Sequence, residues 1–240
     1  MESISFGQRL KQSMVFPLYF LAIMWIVHLV QFVSPFDFGF LGVYPLEWSG
    51  LKGIIFAPLV HGDWQHLVSN SAPFFVLTTM IMLFYRKVAI RSFLMIYLLT
   101  GLSVWLFARP VFHIGASGVV YGLLAFVFWS GIFRRNIKSI VLALIVTFLY
   151  SGFIVGILPN QPGISWESHL MGGLIGIFTA YWYKEEIEAD EHREVPSWEL
   201  EEPKEEEFFL PRDAFDRTKQ DRLPGSDRDD RPSGWFTNVS

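Results

Sequence analysis

Residues 115–133 read Gly115-Ala116-Ser117-Gly118 followed by VVYGLLAFVFWSGIF. The run after Gly118 is apolar and uncharged, as expected of a helix that crosses a membrane. Polar side chains are costly inside a bilayer, so Ser117 at the start of such a run is a functional candidate. Further along the chain, His169 stands at the start of another apolar run. An imidazole is the usual base for a serine nucleophile, and the pair therefore indicates hydrolysis within a membrane.

The composition of the whole chain points to a polytopic membrane protein. Of 240 residues, 52% are hydrophobic, and 24 are Phe and 9 Trp, which is more apolar and aromatic mass than soluble proteins of this size carry. The chain has no cysteine, which excludes disulfides, thiolate metal sites and cysteine nucleophiles. No basic stripe alternates with stacking aromatics, so nucleic acid is not an expected partner.

Six apolar runs are long enough, or nearly so, to cross a bilayer, which takes about 20 residues. The first could be mistaken for a signal peptide, but it is long and no small-residue cleavage site follows it, so we expect a retained helix. We therefore predict an all-α polytopic membrane protein with six transmembrane helices. The predicted spans are 14–34, 66–85, 88–108, 117–133, 138–158 and 167–183.

Lysine and arginine positions predict the orientation, because basic residues favour the cytoplasmic side. Basic residues cluster near residue 10, at 86–91 and at 134–138, whereas the short connections on the other side carry only Lys52 and Arg109. Both termini are therefore predicted to be cytoplasmic. The expected location is the cell (inner) membrane, with a multi-pass topology.

The chain divides into three predicted parts. Residues 1–13 form a short cytoplasmic N-terminus, and residues 14–183 form the six-helix membrane domain. Residues 184–240 are rich in Glu and Asp, cannot bury a core, and are predicted to be a disordered cytoplasmic tail. The connection 35–65 is too apolar for a solvated loop and too short to span, so we expect it to lie in the outer interface.

The polar candidates lie at a similar depth in the predicted membrane. At 1.5 Å per residue, Ser117 lies about 25 Å along its helix from Arg134, and Asn70 lies about 24 Å from Arg86. His169 lies about 18 Å from the aromatic end of its helix. Against a hydrocarbon core of about 30 Å, all three are placed at or somewhat below the outer surface.

Glycine spacing explains how two of these helices could approach. Gly118 and Gly122 form one small-xxx-small pair, and Gly172 and Gly176 form a second. Gly172 and Gly176 share a helical face with His169, so the face of this helix that contacts its neighbour would also carry the imidazole. Gly115 would let backbone amides approach a substrate carbonyl closely.

At these residues the chain resembles the rhomboid intramembrane serine proteases, in the minimal six-helix form typical of bacterial members. The resemblance covers about residues 14–183. Lys52-Gly53 departs from it, because many members have Trp-Arg there. The matching motifs are G-x-S-G at residues 115–118, H-x-x-G-x-x-x-G at His169, Gly172 and Gly176, H-x(4)-H-x(3)-N at His61, His66 and Asn70, and a tyrosine at Tyr121.

The resemblance implies a rhomboid-like bundle and a Ser–His dyad that cleaves transmembrane protein substrates, with a site open to the extracytoplasmic side. Ser117 is the expected nucleophile and His169 the general base. Glu167 is expected to point elsewhere on its helix. Tyr121 could stack on the imidazole or merely pack between helices, and Gly172 and Gly176 support the helix contact. No cofactor and no metal are expected.

The resemblance also implies an oxyanion site. It would be formed by Asn70 and His66 with the Ser117 backbone amide, at a turn that Gly115 makes accessible. His61 is expected to be structural, and His28 and His113 are expected to be incidental.

Two other interpretations belong to different classes. One is an inactive relative that binds transmembrane clients without cutting them, which loss of the serine or histidine would mark. The other is a metalloprotease or transporter that uses His61, His66 and His169. The H-E-x-x-H zinc signature is absent from the sequence, which argues against a metalloprotease.

Overall fold

A computed structural model describes residues 5–159 and 165–186. Six long helices account for most of this part of the chain, and within it there is no β-strand. The helices are α1 (Phe6–Val33), α2 (Trp64–Phe84), α3 (Ala89–Phe107), α4 (Ser117–Arg134), α5 (Ile137–Tyr150) and α6 (Trp166–Trp182).

Five helical segments are long and apolar enough to cross a membrane: α1, α2, α3, α4, and α5 together with its 3₁₀ continuation Ser151–Ile157. The helix content and these five segments confirm the prediction of an all-helical polytopic membrane protein. The sixth predicted span coincides with α6, which has 17 residues. The predicted tail, residues 184–240, lies outside the described residues from 187 onward.

Side-chain caps explain where several helices begin. The first predicted span began at residue 14, but α1 begins at Phe6, because Ser5 and Gln8 form a reciprocal capping box before it. Asp63 accepts a hydrogen bond from the His66 amide and so starts α2. Asn136 caps α5 in the same way, after Arg135 adopts a left-handed conformation that ends α4.

Helix α4 lies at the centre of the bundle. It packs against α6 more extensively than any other pair of the described helices does, and it also contacts α5, α2 and α3. The core around it is built from large apolar side chains with no solvent exposure. They include Phe74, Leu77, Ile81, Ile96, Leu123 and Phe126.

The contact between α4 and α6 is a backbone contact between glycines. A Cβ atom at Gly172 would overlap the carbonyl oxygen of Gly118, and one at Gly176 would overlap that of Gly122. The two small-xxx-small pairs seen in the sequence therefore face each other. Since any side chain would force the helices apart, both glycines of α6 are required for this approach.

The connection between α1 and α2 forms short helical turns rather than a plain loop: Phe38–Leu41, Trp48–Lys52, Gly53–Phe56 and Ala57–Leu59. Its Val43 pairs with His113 through two backbone hydrogen bonds of 2.9 Å. Gly53 lies so close to Val43 that a Cβ would overlap the Val43 amide nitrogen. A side chain at Gly53 would therefore not fit in this arrangement of the connection.

Adjacent glycines of α6 provide a matched test of the helix contact. Gly172→Ala should lower the Tm of the detergent-solubilised protein by about 5 °C, because overpacking costs about 1–3 kcal/mol. A Cβ at Gly173 meets nothing within 4 Å, so Gly173→Ala should leave the Tm unchanged or raise it. Equal effects of the two substitutions in thermal denaturation would contradict the close glycine contact.

Candidate active site

Ser117 and His169 line one cavity of about 570 Å³, together with His66, Asn70 and Tyr121. This volume is in the range of small-molecule and active-site pockets. The walls come from the start of α2, the loop 108–116, the first turns of α4 and α6, and the segment after α5. The fold thus gathers candidates from three helices that are remote in sequence.

Ser117 occupies the first helical position of α4. Ala116, rather than Ser117, is the N-cap residue, so the serine hydroxyl is not used to cap the helix. The first backbone N–H groups of a helix have no intrahelical acceptor, and the macrodipole is positive at this end. The site therefore combines a hydroxyl with amide groups suited to a developing negative charge.

The imidazole of His169 is held on two sides. Its ring stacks on Tyr121 with 4.2 Å between centroids and 10° between planes. Its Nδ1 lies 2.8 Å from the carbonyl oxygen of Gly156, so Nδ1 carries the proton and donates it. This leaves Nε2 as the basic nitrogen. The tyrosine is itself fixed, because its hydroxyl donates to the Phe153 carbonyl at 2.7 Å.

No carboxylate orients His169 among residues 5–159 and 165–186. Glu167 is buried, but its Oε1 lies 2.9 Å from Nε of Arg109 and so points away from the imidazole. The Gly156 carbonyl takes the place that a carboxylate has in a triad, where it fixes the tautomer of the base. In the same described part of the chain, no direct hydrogen bond joins Ser117 to His169.

The loop that precedes Ser117 is shaped by His66. Gly115 has φ +99°, and a Cβ there would collide with Nε2 of His66. Glycine is therefore needed both for the backbone conformation and for the space that the imidazole takes. The amide of Gly115 donates to the Ala57 carbonyl at 2.9 Å, so this amide is engaged and does not face a substrate. In this respect the expectation for Gly115 is corrected.

Asn70 lies one turn below His66 on α2 and is buried. Its Nδ2 donates to the His66 carbonyl at 2.9 Å. An amide group has two N–H donors, so this bond orients the side chain and leaves the second donor for the cavity. The residue is thus a fixed donor on the wall that Ser117 also lines.

His61 and His28 support the cavity from behind. The fully buried His61 accepts a hydrogen bond from the Ala116 amide at 3.4 Å, and its own carbonyl accepts one from Nδ1 of His28 at 3.2 Å. Burial, with the neighbouring His66 imidazole, lowers the pKa of His61 to about 3. His28 is therefore not incidental, contrary to the expectation from sequence, because it holds the segment before α2.

His113 was also expected to be incidental, and this expectation is wrong. Its ring is buried, with Nδ1 2.6 Å from the hydroxyl of Ser165 and Nε2 3.0 Å from the carbonyl of Arg109. Burial lowers the pKa of His113. No local sequence pattern could have indicated these contacts of His113, because its partner Ser165 lies 52 residues further along the chain.

The histidines and acidic residues do not gather into a metal-binding cluster. Within the described ranges, no group of three or more His, Cys, Asp or Glu side chains is placed to hold a metal ion. His61, His66 and His169, which the metal alternative required together, therefore do not form such a set here.

Comparison with known families shows which family has this arrangement of helices and side chains. The model of the Rhomboid domain matches residues 48–186, which include α2 to α6 and every candidate residue of the cavity. The chain belongs to the rhomboid family. With its apolar helices, this rhomboid is a multi-pass membrane protein.

Relatives of this rhomboid occur in mycobacteria. Uncharacterized protein Rv1337 of Mycobacterium tuberculosis (strain H37Rv) is 37% identical over 173 residues, which cover 68% of this chain and 72% of the relative. Uncharacterized protein ML1171 of Mycobacterium leprae is 34% identical over 173 residues, which cover 68% of each chain. The similarity therefore extends over most of the rhomboid membrane region.

Two glycines in the segment after α5 test the orientation of the imidazole. A Cβ at Gly156 would overlap the Tyr121 hydroxyl and lie 3.2 Å from Nδ1 of His169. Gly156→Ala should therefore slow reaction of the rhomboid with a fluorophosphonate by about tenfold or more, since small misplacements of catalytic groups are costly. Gly152→Ala is the control, because a Cβ there meets nothing within 4 Å. Similar rates for both variants would contradict this role of the Gly156 segment.

The lowered pKa of His61 predicts a loss of stability in acid. Between the unfolded value of 6.5 and the folded value of about 3, only the unfolded chain binds the proton, so stability falls as the pH falls below 6.5. The loss from this group is at most about 1.4 kcal/mol per pH unit. His61→Gln should show a smaller drop in Tm between about pH 7 and about pH 5 than the wild-type rhomboid. Equal drops would show that His61 is protonated in the folded state.

Proposed function

We propose that this rhomboid is an intramembrane serine endopeptidase that hydrolyses peptide bonds in or near transmembrane segments of membrane proteins. The observation that carries the proposal is the oriented imidazole of His169, held by Tyr121 and Gly156, on the same cavity as Ser117. Family membership supports it, because rhomboids are generally serine intramembrane proteases.

The chemistry would follow the Ser–His dyad. The Ser117 oxygen attacks the carbonyl carbon of the peptide bond while Nε2 of His169 takes the hydroxyl proton. The tetrahedral intermediate then breaks the C–N bond, and His169 gives the proton to the leaving amine. Water hydrolyses the resulting acyl-enzyme with the same base. The Gly156 carbonyl accepts a hydrogen bond from Nδ1 throughout, which stabilises the transient imidazolium.

The negative charge of the intermediate would be met by three donors. These are the second Nδ2 hydrogen of Asn70, the ring of His66, and the backbone amide of Ser117 at the positive end of α4. Asn70 is supported best, since its bond to the His66 carbonyl holds the amide in place before substrate arrives. Preorganised donors in a site of low dielectric stabilise such charge more than mobile ones do.

The topology that accompanies this proposal has six transmembrane helices in a rhomboid bundle, with both termini cytoplasmic, in the cell (inner) membrane. Helix α6 is the sixth span; its 17 residues measure about 26 Å, slightly less than the hydrocarbon core. Arg91 and Arg134 lie at the helix ends opposite Ser117, and basic residues favour the cytoplasm. The cavity therefore opens to the extracytoplasmic side, and the partners are lipid and transmembrane substrates, without cofactor or metal.

One observation favours an alternative, an inactive rhomboid that binds transmembrane clients. Ser117 and His169 line the same cavity but make no direct hydrogen bond in the described part of the chain. In proteases without substrate, however, such bonds are often long and tighten only in the complex. The two interpretations differ in a simple way, because only the protease has a reactive serine.

Labelling with a fluorophosphonate distinguishes them. The wild-type protein in membranes should be labelled, and Ser117→Ala and His169→Ala should each reduce the rate by about a thousandfold or more. Ser130→Ala is the control, since this buried serine of the same helix has a hydroxyl with no hydrogen-bond partner among the described residues and should react as the wild type does. A folded wild-type protein that is not labelled, beside a reactive control protease, would support the client-binding alternative.

A further inference from the structure

A cluster of polar side chains joins the two chain segments that carry the dyad. Arg109 and His113 lie in the loop that leads to Ser117, and Ser165, Glu167 and Ser168 lie at the start of α6, next to His169. One hydrogen bond, between His113 and Ser165, and one ion pair, between Arg109 and Glu167, connect the two groups, and a further hydrogen bond joins Ser165 to Ser168. None of these side chains belongs to the proposed dyad or oxyanion site.

The donor and the acceptor of each hydrogen bond in the cluster can be assigned. Nε2 of His113 faces the Arg109 carbonyl at 3.0 Å, and a carbonyl only accepts, so Nε2 carries the proton. Nδ1 is then an acceptor, and the Ser165 hydroxyl donates to it at 2.6 Å. The Ser165 oxygen in turn accepts from the Ser168 hydroxyl at 2.7 Å. Because burial lowers the pKa of His113, the neutral imidazole that this arrangement needs is the favoured form.

Ser165 is the N-cap residue of α6, yet its side chain makes no capping hydrogen bond. A serine at this position normally bonds to an amide of the first turn, which stabilises a helix by about 1 kcal/mol. Here the hydroxyl is used by His113 instead. The side chain is thus directed towards the loop before Ser117 and not towards its own helix.

The loop 108–116 is also held on its other side. His113 exchanges two backbone hydrogen bonds with Val43, and the Gly115 amide donates to the Ala57 carbonyl. With these contacts in place, the bond from His113 to Ser165 ties the start of α6 to a fixed loop. The ion pair between Arg109 and the buried Glu167 is a second tie between the same two segments.

We propose that His113 is a positioning residue, which acts through Ser165 to hold the segment before Ser117 against the first turn of α6 and so sets the placement of Ser117 relative to His169. The proposal rests on the proposed function, because the placement matters only if the dyad reacts. The glycine contact between α4 and α6 begins at Gly118, whose backbone lies against the Ser168 carbonyl, and the cluster adds polar ties between the loop before Ser117 and the first turn of α6.

Two substitutions of His113 separate the two hydrogen bonds that its ring makes, one with Ser165 and one with Arg109. In His113→Asn, the side-chain oxygen takes about the place of Nδ1 and can still accept from Ser165. In His113→Gln, the side-chain nitrogen takes about the place of Nε2, so the bond to Arg109 is kept and that to Ser165 is lost. Ser165→Ala removes the same bond from the other side. Ser13→Ala is the control, because its hydroxyl bonds only within α1, to the Arg9 carbonyl.

The test is the rate of fluorophosphonate labelling as a function of probe concentration. The maximal rate should fall by about ten- to a hundredfold in His113→Gln and Ser165→Ala, with the half-saturating concentration unchanged, because placement and not probe binding is altered. His113→Asn should stay within about threefold of the wild type, and Ser13→Ala should match it. Wild-type maximal rates in both His113→Gln and Ser165→Ala would overturn the inference while leaving the proposed function intact.

A second measurement does not depend on activity. The double variant His113→Gln/Ser165→Ala should have a Tm no lower than that of the less stable single variant, because both changes remove one bond. Additive losses would contradict the contact itself. Absence of labelling in the folded wild type would overturn the proposed function and the positioning role with it, whatever the Tm values show.

Discussion

The close approach of α4 and α6 is the constraint on which the site depends. Gly118 and Gly122 face Gly172 and Gly176 with no side chain between the backbones. In a bilayer there is little hydrophobic drive between helices, so association relies on such close van der Waals packing. Because Ser117 and His169 stand at the same ends of these two helices, the contact brings the hydroxyl and the imidazole to one cavity.

The electrostatics of the site follow from its low polarity. A carboxylate beside His169 would be costly to bury unless it were fully paired. This rhomboid instead orients the imidazole with a neutral carbonyl, that of Gly156, and an aromatic ring, that of Tyr121. Among the described residues, the buried carboxylate near it is that of Glu167, whose Oε1 pairs with Arg109 while its Oε2 has no hydrogen-bond partner. Neutral groups thus hold the imidazole, and of the charged pair only the Arg109 side chain is exposed to water.

Buried histidines around the cavity also hold the structure together as neutral groups. His61 and His113 are kept neutral by burial, and each bonds to backbone or hydroxyl groups that shape the loop before Ser117. At His113 the neutral imidazole uses one donor and one acceptor, to Arg109 and from Ser165, and so joins two segments without bringing a charge into the interior. This makes it suited to fixing loops at the edge of a membrane protein.

The amino-acid sequence by itself determined the helices, their order, and the family motifs on three of them, because hydropathy, caps and glycine spacing are local properties. Helix ends were predicted within a few residues, with two exceptions. Ser5 and Gln8 extend the start of α1 beyond the apolar run, and α5 ends at Tyr150, where a 3₁₀ segment continues to Ile157. Only the tertiary structure decided that Gly156 orients His169, that His113 meets Ser165, and that the Gly115 amide is engaged by Ala57. These contacts join residues far apart in the chain through backbone atoms or single polar groups, and no periodicity or local spacing encodes such pairs.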